Sequence, residues 1–145
     1  MNIEKITISD VIEIYEIEKR CYSNPWKYQS LENELKLPFA FHYKFNINGR
    51  IAGYCFCSLS LENLHINNFC IDEPYQNKGN GLSFLKCLIK EAINCGVRIL
   101  TLEVDTNNLK ALTLYEKIGF KKDRAIKKFY SNGKDAQRMF FNVCS

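Results

Sequence analysis

Val11, Ile14, Ile17 and Cys21 recur at helical spacing behind Ser9-Asp10, so the chain opens with a capped amphipathic helix. The pattern breaks at "YSNPW", where Pro25 bars helical continuation through Asn24. "SLENELKL" returns briefly to helical spacing and stops before Pro38. The period then shortens. "FAFHYKFNI" and "RIAGYCFCSL" read as strands joined by Asn48-Gly49, the dipeptide that most strongly marks a two-residue hairpin. "NLHINNFCI" is a third strand.

Beyond "YQNKGNG" the run "LSFLKCLIKEAI" has leucines and isoleucines at helical spacing and predicts a helix to about Asn94, with Gly96 as its stop. "RILTLEV" alternates like a strand, and "NNLKALTLYEKI" is a helix closed by Gly119. "FKKDRAIKKFY" and "AQRMFFNV" are the last strands, joined by "SNGKD". The predicted order is helix, helix, three strands, helix, strand, helix and two strands. That order implies an α/β or α+β domain with a mixed sheet, not the strict alternation of a doubly wound fold. There is no internal repeat, low-complexity tract or linker, and 145 residues suffice for one buried core, so a single domain over 1–145 is expected.

Composition narrows the class. The chain is 46% hydrophobic and 25% charged, and its first twenty residues carry too much charge for an apolar leader. No run is long enough to span a membrane, so a cytoplasmic protein with no membrane partner is the expectation. A net charge of +4 suits an anionic ligand but is thin for nucleic acid. The one basic cluster, Lys121 to Lys128, reads as a solvated face. The seven cysteines (Cys21, Cys55, Cys57, Cys70, Cys87, Cys95 and Cys144) form no C-x-x-C pair and stand apart from His42 and His65. They are expected to be reduced thiols packed as small apolar groups, with no metal site.

The turn from Tyr75 to Gly81 sits where a strand gives way to a helix, and a helix start offers unpaired N–H groups and partial positive charge to an anion. Gly79 and Gly81 allow close backbone approach, and Lys78 adds charge. A lone G-x-G fits a plain connection equally well. It is neither a Walker loop nor G-x-G-x-x-G, since Phe84 holds the third glycine position.

Two longer patterns decide between these readings. Gln76-Asn-Lys-Gly79-Asn-Gly81 fits [QR]-x-x-G-x-[GA], and "NNLKALTLYEKIGF" fits N-x-x-A-x-x-L-Y-x-x-x-G-F through Asn108, Ala111, Leu114, Tyr115, Gly119 and Phe120. Both resemble the GNAT acyltransferases, and over nearly the whole chain the sequence is similar to their bacterial ribosomal-protein-alanine N-acetyltransferase group. "IEKRCYSNPW", "FCIDEPYQNKGNG", "LTLEVDTNN" and "FYSNGKDAQRM" carry that second likeness. Departures are Asn80 and Leu82 in the loop, Asp105 where arginine is common, and Lys134 where an acid is frequent.

The resemblance implies the GNAT fold, a central mixed and mostly antiparallel sheet flanked by helices, with acetyl-CoA as cosubstrate and no metal. It implies a splay between the fourth and fifth family strands, where Phe69, Cys70 and Ile71 offer backbone to the pantetheine. Gln76, Asn77, Lys78, Gly79, Asn80, Gly81 and Leu82 would cradle the pyrophosphate. Glu103, on residues alone a solvent-facing strand glutamate, becomes the base, most effective if burial raises its pKa. Tyr115, otherwise a core tyrosine, becomes the acid for the departing thiolate. Asn108 either caps its helix or bonds the cofactor, and the family favours the cofactor. The resemblance sets Pro25-Trp26 beside a peptide groove between the first two helices, whereas a lone tryptophan on residues alone is more often core. A covalent route through Cys70 is rejected for want of a neighbouring base.

The implied reaction is direct acetyl transfer to a protein N-terminus, the N-terminal alanine of a small-subunit ribosomal protein, with no direct nucleic-acid partner. The alternatives are a lysine side chain or small amine as acceptor, or a non-catalytic acyl-CoA-binding module.

Overall fold

The computed structural model describes residues 2–143, so Cys144 lies outside the described residues. In chain order the elements are β1 (Asn2–Lys5), α1 (Val11–Cys21), α2 (Tyr28–Leu35), β2 (Ala40–Ile47), β3 (Arg50–Ser60) and β4 (Asn63–Ile71). They continue with α3 (Asn80–Asn94), β5 (Ile99–Asp105), α4 (Leu109–Ile118), β6 (Lys121–Ile126) and β7 (Ala136–Asn142). Short 3₁₀ turns cover Ile8–Asp10 and Glu73–Tyr75.

The strands form one sheet in the order β1-β2-β3-β4-β5-β7-β6. Only β4 and β5 run parallel; the other neighbouring pairs are antiparallel. The sheet is therefore mixed and mostly antiparallel, as the resemblance implied. The Asn48-Gly49 hairpin forms with both residues at positive φ, 50° and 77°.

β1 was not expected from the sequence. Its four residues carry one half-buried apolar side chain, Ile3, between Asn2 and Glu4, too little pattern to register. It exists because β2 supplies an edge for it to pair with. Asp10 also departs from expectation. Its carboxylate does not cap α1 but accepts from Thr7 N–H at 2.8 Å and from Lys44 Nζ at 2.9 Å. The last hairpin has a longer loop than its sequence suggested, because β6 stops at Ile126 and residues 127–135 join it to β7.

Two apolar clusters lie on the two faces of the sheet. Against α3 and α4, Phe45, Phe84, Leu85, Leu88, Leu100, Leu102, Tyr115 and Met139 form the larger one. Against α1 and α2, Val11, Ile14, Ile17, Leu31, Tyr54 and Phe56 form the smaller one. Cys55, Cys57 and Cys70 are buried in these clusters, as expected of small apolar thiols, but Cys95 is exposed. Trp26 packs on Phe56 at 5.7 Å between centroids and belongs to the smaller cluster.

One buried charge fixes the chain ahead of α2. Glu18 is only 2% exposed. It accepts from Tyr54 Oη at 2.6 Å, Asn68 Nδ2 at 2.9 Å and Trp26 N–H at 3.0 Å. Three donors satisfy the carboxylate and tie α1, the Pro25-Trp26 turn and the middle of the sheet together.

Candidate active site

The parallel ladder between β4 and β5 is short, running from Asn63↔Ile99 only to Ile66↔Leu102. Beyond it β4 stays with β3 while β5 stays with β7, so a wedge opens between the two central strands. An unpaired residue marks the point of divergence: the β3–β4 register jumps from Cys57↔Ile66 to Phe56↔Asn68, leaving Asn67 as a bulge.

Backbone direction along the wedge follows from alternation. Asp72 N–H donates to Ala52 O, so Asp72 and Cys70 turn their backbone groups toward β3. Phe69 and Ile71 therefore face the wedge. Their carbonyls accept side-chain donors there, Tyr22 Oη on Phe69 O at 2.6 Å and Gln76 Nε2 on Ile71 O at 2.8 Å. This corrects the expectation for Cys70, whose N–H and C=O are directed away from the wedge. Its side chain is buried as well. Its contact with Cys21, and then burial, push its pKa far above the ordinary thiol range.

At the wide end, β4 leads through the Glu73–Tyr75 turn into the glycine loop. Among the described residues, the N–H groups of Asn77 through Leu82 meet no acceptor, so they form an open run of donors at the start of α3. Gly79 has φ +82° as the residue preceding α3, a conformation an L side chain resists. Gly81 serves a different end: a Cβ there would come within 3.2 Å of Leu114 on α4. The side chains of Gln76 and Asn80 are used internally, on Ile71 O and Tyr75 O, each at 2.8 Å. They hold the loop in shape and leave anion contact to the backbone and Lys78. Arg20 adds a brace by pairing with Asp72 at 2.9 Å.

Asn108 is a cap. Its Oδ1 accepts from Ala111 N–H at 3.1 Å, the first of the two roles open to it.

Tyr115 lies under the wedge from the α4 side, with its ring packed edge-on to Phe69 and Phe120. The residue is 7% exposed. Among the described residues its hydroxyl has no hydrogen-bond partner, and every fully enclosed side-chain N or O there is paired, so this hydroxyl is not fully enclosed. Burial, followed by the neighbouring Cys57, Tyr130, Cys55 and Cys70, raises its pKa, and the phenol stays protonated at neutral pH. Burial likewise pushes Tyr22 well up.

On the other face, β5 alternation brings Thr101, Glu103 and Asp105 to one side. Glu103 is enclosed, its side chain 11% exposed, and both its oxygens are engaged: Oε1 with His65 Nε2 and Oε2 with Arg138 Nη1, each at 2.8 Å. Burial would raise its pKa, but the His65 hydrogen bond and the Arg138 charge outweigh burial and hold it below 4.5. Burial therefore does not tune this carboxylate upward, because its two partners outweigh it.

Asp105 and Lys134, the two departures from the family pattern, find each other. Lys134 Nζ stands 3.8 Å from Asp105 Oδ2. Tyr130, in the same loop as Lys134, has its pKa raised to about 12 by burial and by the Asp105 and Glu103 carboxylates. Asn24 donates to Ser131 Oγ at 3.1 Å, joining the turn after α1 to this loop.

Tyr22, His65, Thr101, Tyr130 and Arg138 were not singled out from the sequence. Alternation in "NLHIN" and "RILTLEV" hints that His65, Thr101 and Glu103 could share a face. Only the parallel β4–β5 pairing makes them neighbours.

A sheet split between its parallel strands, an open N–H run at the wide end and an unpaired phenol on the α4 side are features suited to a transferase that takes an acyl group from an extended anionic donor. Residues 11–120 match the family described as Acetyltransferase (GNAT) family, and the chain belongs to it: it is an acetyltransferase. Its similarities reach a narrower group. It is 30% identical over 131 residues to the ribosomal protein bS18-alanine N-acetyltransferase of Escherichia coli, covering 88% of this chain and 86% of that one. To the enzyme of the same description from Haemophilus influenzae it is 34% identical over 128 residues, with the same coverage. The crystal structure of the ribosomal-protein-S18-alanine N-acetyltransferase from Escherichia coli superposes with a TM-score of 0.91 at 27% identity, covering 99% of this chain and 94% of that one.

Proposed function

We propose that residues 1–145 act as one domain that moves acetyl from acetyl-CoA to the α-amino group of a protein, the N-terminal alanine of a small-subunit ribosomal protein. Such an acceptor places the work in the cytoplasm. The observation that carries this reading is the wedge, open between Phe69 and Ile71 on one wall and β5 on the other. It lies between a free phenol and an anchored carboxylate, in a chain similar to bS18-alanine N-acetyltransferases.

The N–H run from Asn77 to Leu82, with Lys78, holds the pyrophosphate. Phe69 and Ile71 pair with the pantetheine amides once Tyr22 and Gln76 yield their carbonyls. The acceptor amine enters from the face of Glu103 and attacks the thioester carbon, and the C–S bond breaks. Tyr115 protonates the sulfur as it leaves. The inert Cys70 thiol favours direct transfer over an acyl-enzyme.

Initial rates with an alanyl peptide and acetyl-CoA test this order of events. Direct transfer gives intersecting double-reciprocal lines, whereas parallel lines would contradict it.

A further inference from the structure

The turn that follows α1 is tied to both sides of the wedge. Tyr22 Oη donates to Phe69 O at 2.6 Å on the β4 wall, and Asn24 Nδ2 donates to Ser131 Oγ at 3.1 Å in the loop before β7. The neighbouring Tyr130 has its pKa raised by burial and then by the Asp105 and Glu103 carboxylates, so the loop stands close to both. Leu100, Leu102 and Val104 of β5 face the larger cluster under α3 and α4, which leaves Glu103 on the α1 side of the sheet. The turn therefore crosses the wedge on the face of Glu103.

Neither of these ties is buried, and one of them is temporary. In the reading above, pantetheine takes the Phe69 carbonyl, so CoA binding releases Tyr22. The Asn24 bond joins exposed side chains. A third tie runs beneath the turn, through a carboxylate only 2% exposed.

The two oxygens of Glu18 divide between sheet and turn. Oε1 accepts from Tyr54 Oη on β3 at 2.6 Å and from Asn68 Nδ2 on β4 at 2.9 Å, whereas Oε2 accepts from Trp26 N–H at 3.0 Å. Asn68 directly follows the Asn67 bulge, where β4 leaves β5, so the turn is referenced to the point at which the wedge opens. Releasing any of these donors would leave a polar group without its partner, which makes the arrangement stiff.

We propose that Glu18 is a positioning residue for the acceptor: through Trp26 N–H it holds the Pro25-Trp26 turn across the wedge after CoA has displaced Tyr22. The proposal rests on the acetyltransferase reading above and deepens its acceptor half. Glu18 touches no reacting atom and acts through the turn alone.

Two substitutions separate the halves of the network. In Glu18→Gln the amide oxygen still accepts from Tyr54 and Asn68, but the NH2 group meets Trp26 N–H, donor against donor, and the turn is released. Tyr54→Phe instead removes a donor on the sheet side and leaves Oε2 on Trp26. Both variants should melt below the wild type. With an alanyl peptide, Glu18→Gln should raise the acceptor KM about tenfold, while kcat and CoA affinity by calorimetry stay within about twofold. Tyr54→Phe should keep the wild-type KM. In the wild-type chain, the Trp26 amide should resist hydrogen exchange as strongly with saturating CoA as without it. A folded Glu18→Gln variant with the wild-type KM overturns the proposal. Equal increases in KM in both variants overturn it too, because Glu18 would then be purely structural. Loss of Trp26 protection when CoA binds overturns it without any variant. A wild-type chain that binds CoA yet acetylates no amine overturns the acetyltransferase reading, and the proposal with it.

Discussion

Arg138 Nη1 stands 2.8 Å from Glu103 Oε2, and the two residues are register partners across the β5–β7 ladder. The pair fixes the carboxylate's position and its charge. Because the folded-state pKa of Glu103 is lowered from 4.5, its contribution to stability is complete above that value and is lost as pH falls through the lower folded value. Asp10, depressed from 3.8 by Thr7 and Lys44 despite its burial, adds a loss of the same sign. Thermal melts from pH 7 to pH 3 should therefore fall at the acid end. In Arg138→Gln the acid-side drop should be smaller, since Glu103 then titrates nearer its unfolded value. An identical acid slope in that variant would contradict the assignment.

Gly79 and Gly81 should fail differently. A Cβ at Gly79 meets open space but is trapped at φ +82°, a strain of about 1 kcal/mol. Gly79→Ala should loosen the N–H run, so CoA affinity by calorimetry should weaken several-fold while the melting temperature moves little. Gly81→Val pushes on Leu114 and should disturb the α3–α4 contact as well as the cradle. Unchanged CoA affinity in folded Gly81→Val protein would refute the pyrophosphate assignment.

Tyr115→Phe keeps the ring packing on Phe69 and Phe120 and removes only the hydroxyl. Turnover should fall by about a hundredfold with little change in peptide KM. The loss should shrink with acyl donors whose thiol is more acidic. Equal losses across donors would make Tyr115 structural.

Asp105 and Lys134 are partly exposed and 3.8 Å apart, so their pairing is worth no more than about 1 kcal/mol. Asp105→Arg alone sets like charges together and should raise the acceptor KM. Adding Lys134→Glu rebuilds the pair with inverted sign and should recover most of the loss. CoA affinity should stay constant throughout.

Much of this arrangement was legible in the chain because its signals are local. Asn48-Gly49 set the hairpin, Gly96 and Gly119 ended α3 and α4, and the spacing of the Gln76–Gly81 and Asn108–Phe120 motifs identified the family. What escaped was non-local. β1 exists only through β2, and Cys70's backbone direction depends on which strand it pairs with. Glu103's low pKa needs Arg138, 35 residues downstream, and His65, 38 residues upstream. Tyr22 reaches Phe69 O over a separation of 47 residues. No pattern within a window of the sequence contains such partners.

The most direct measurement is mass spectrometry of peptides incubated with acetyl-CoA and the protein. One peptide would begin with a free alanine and carry an internal lysine, and its control would have the α-amine blocked. The account predicts one acetyl group, located by fragmentation on the N-terminal alanine, and no modification of the blocked control. Acetyl on the lysine of both peptides, or on neither, would contradict it.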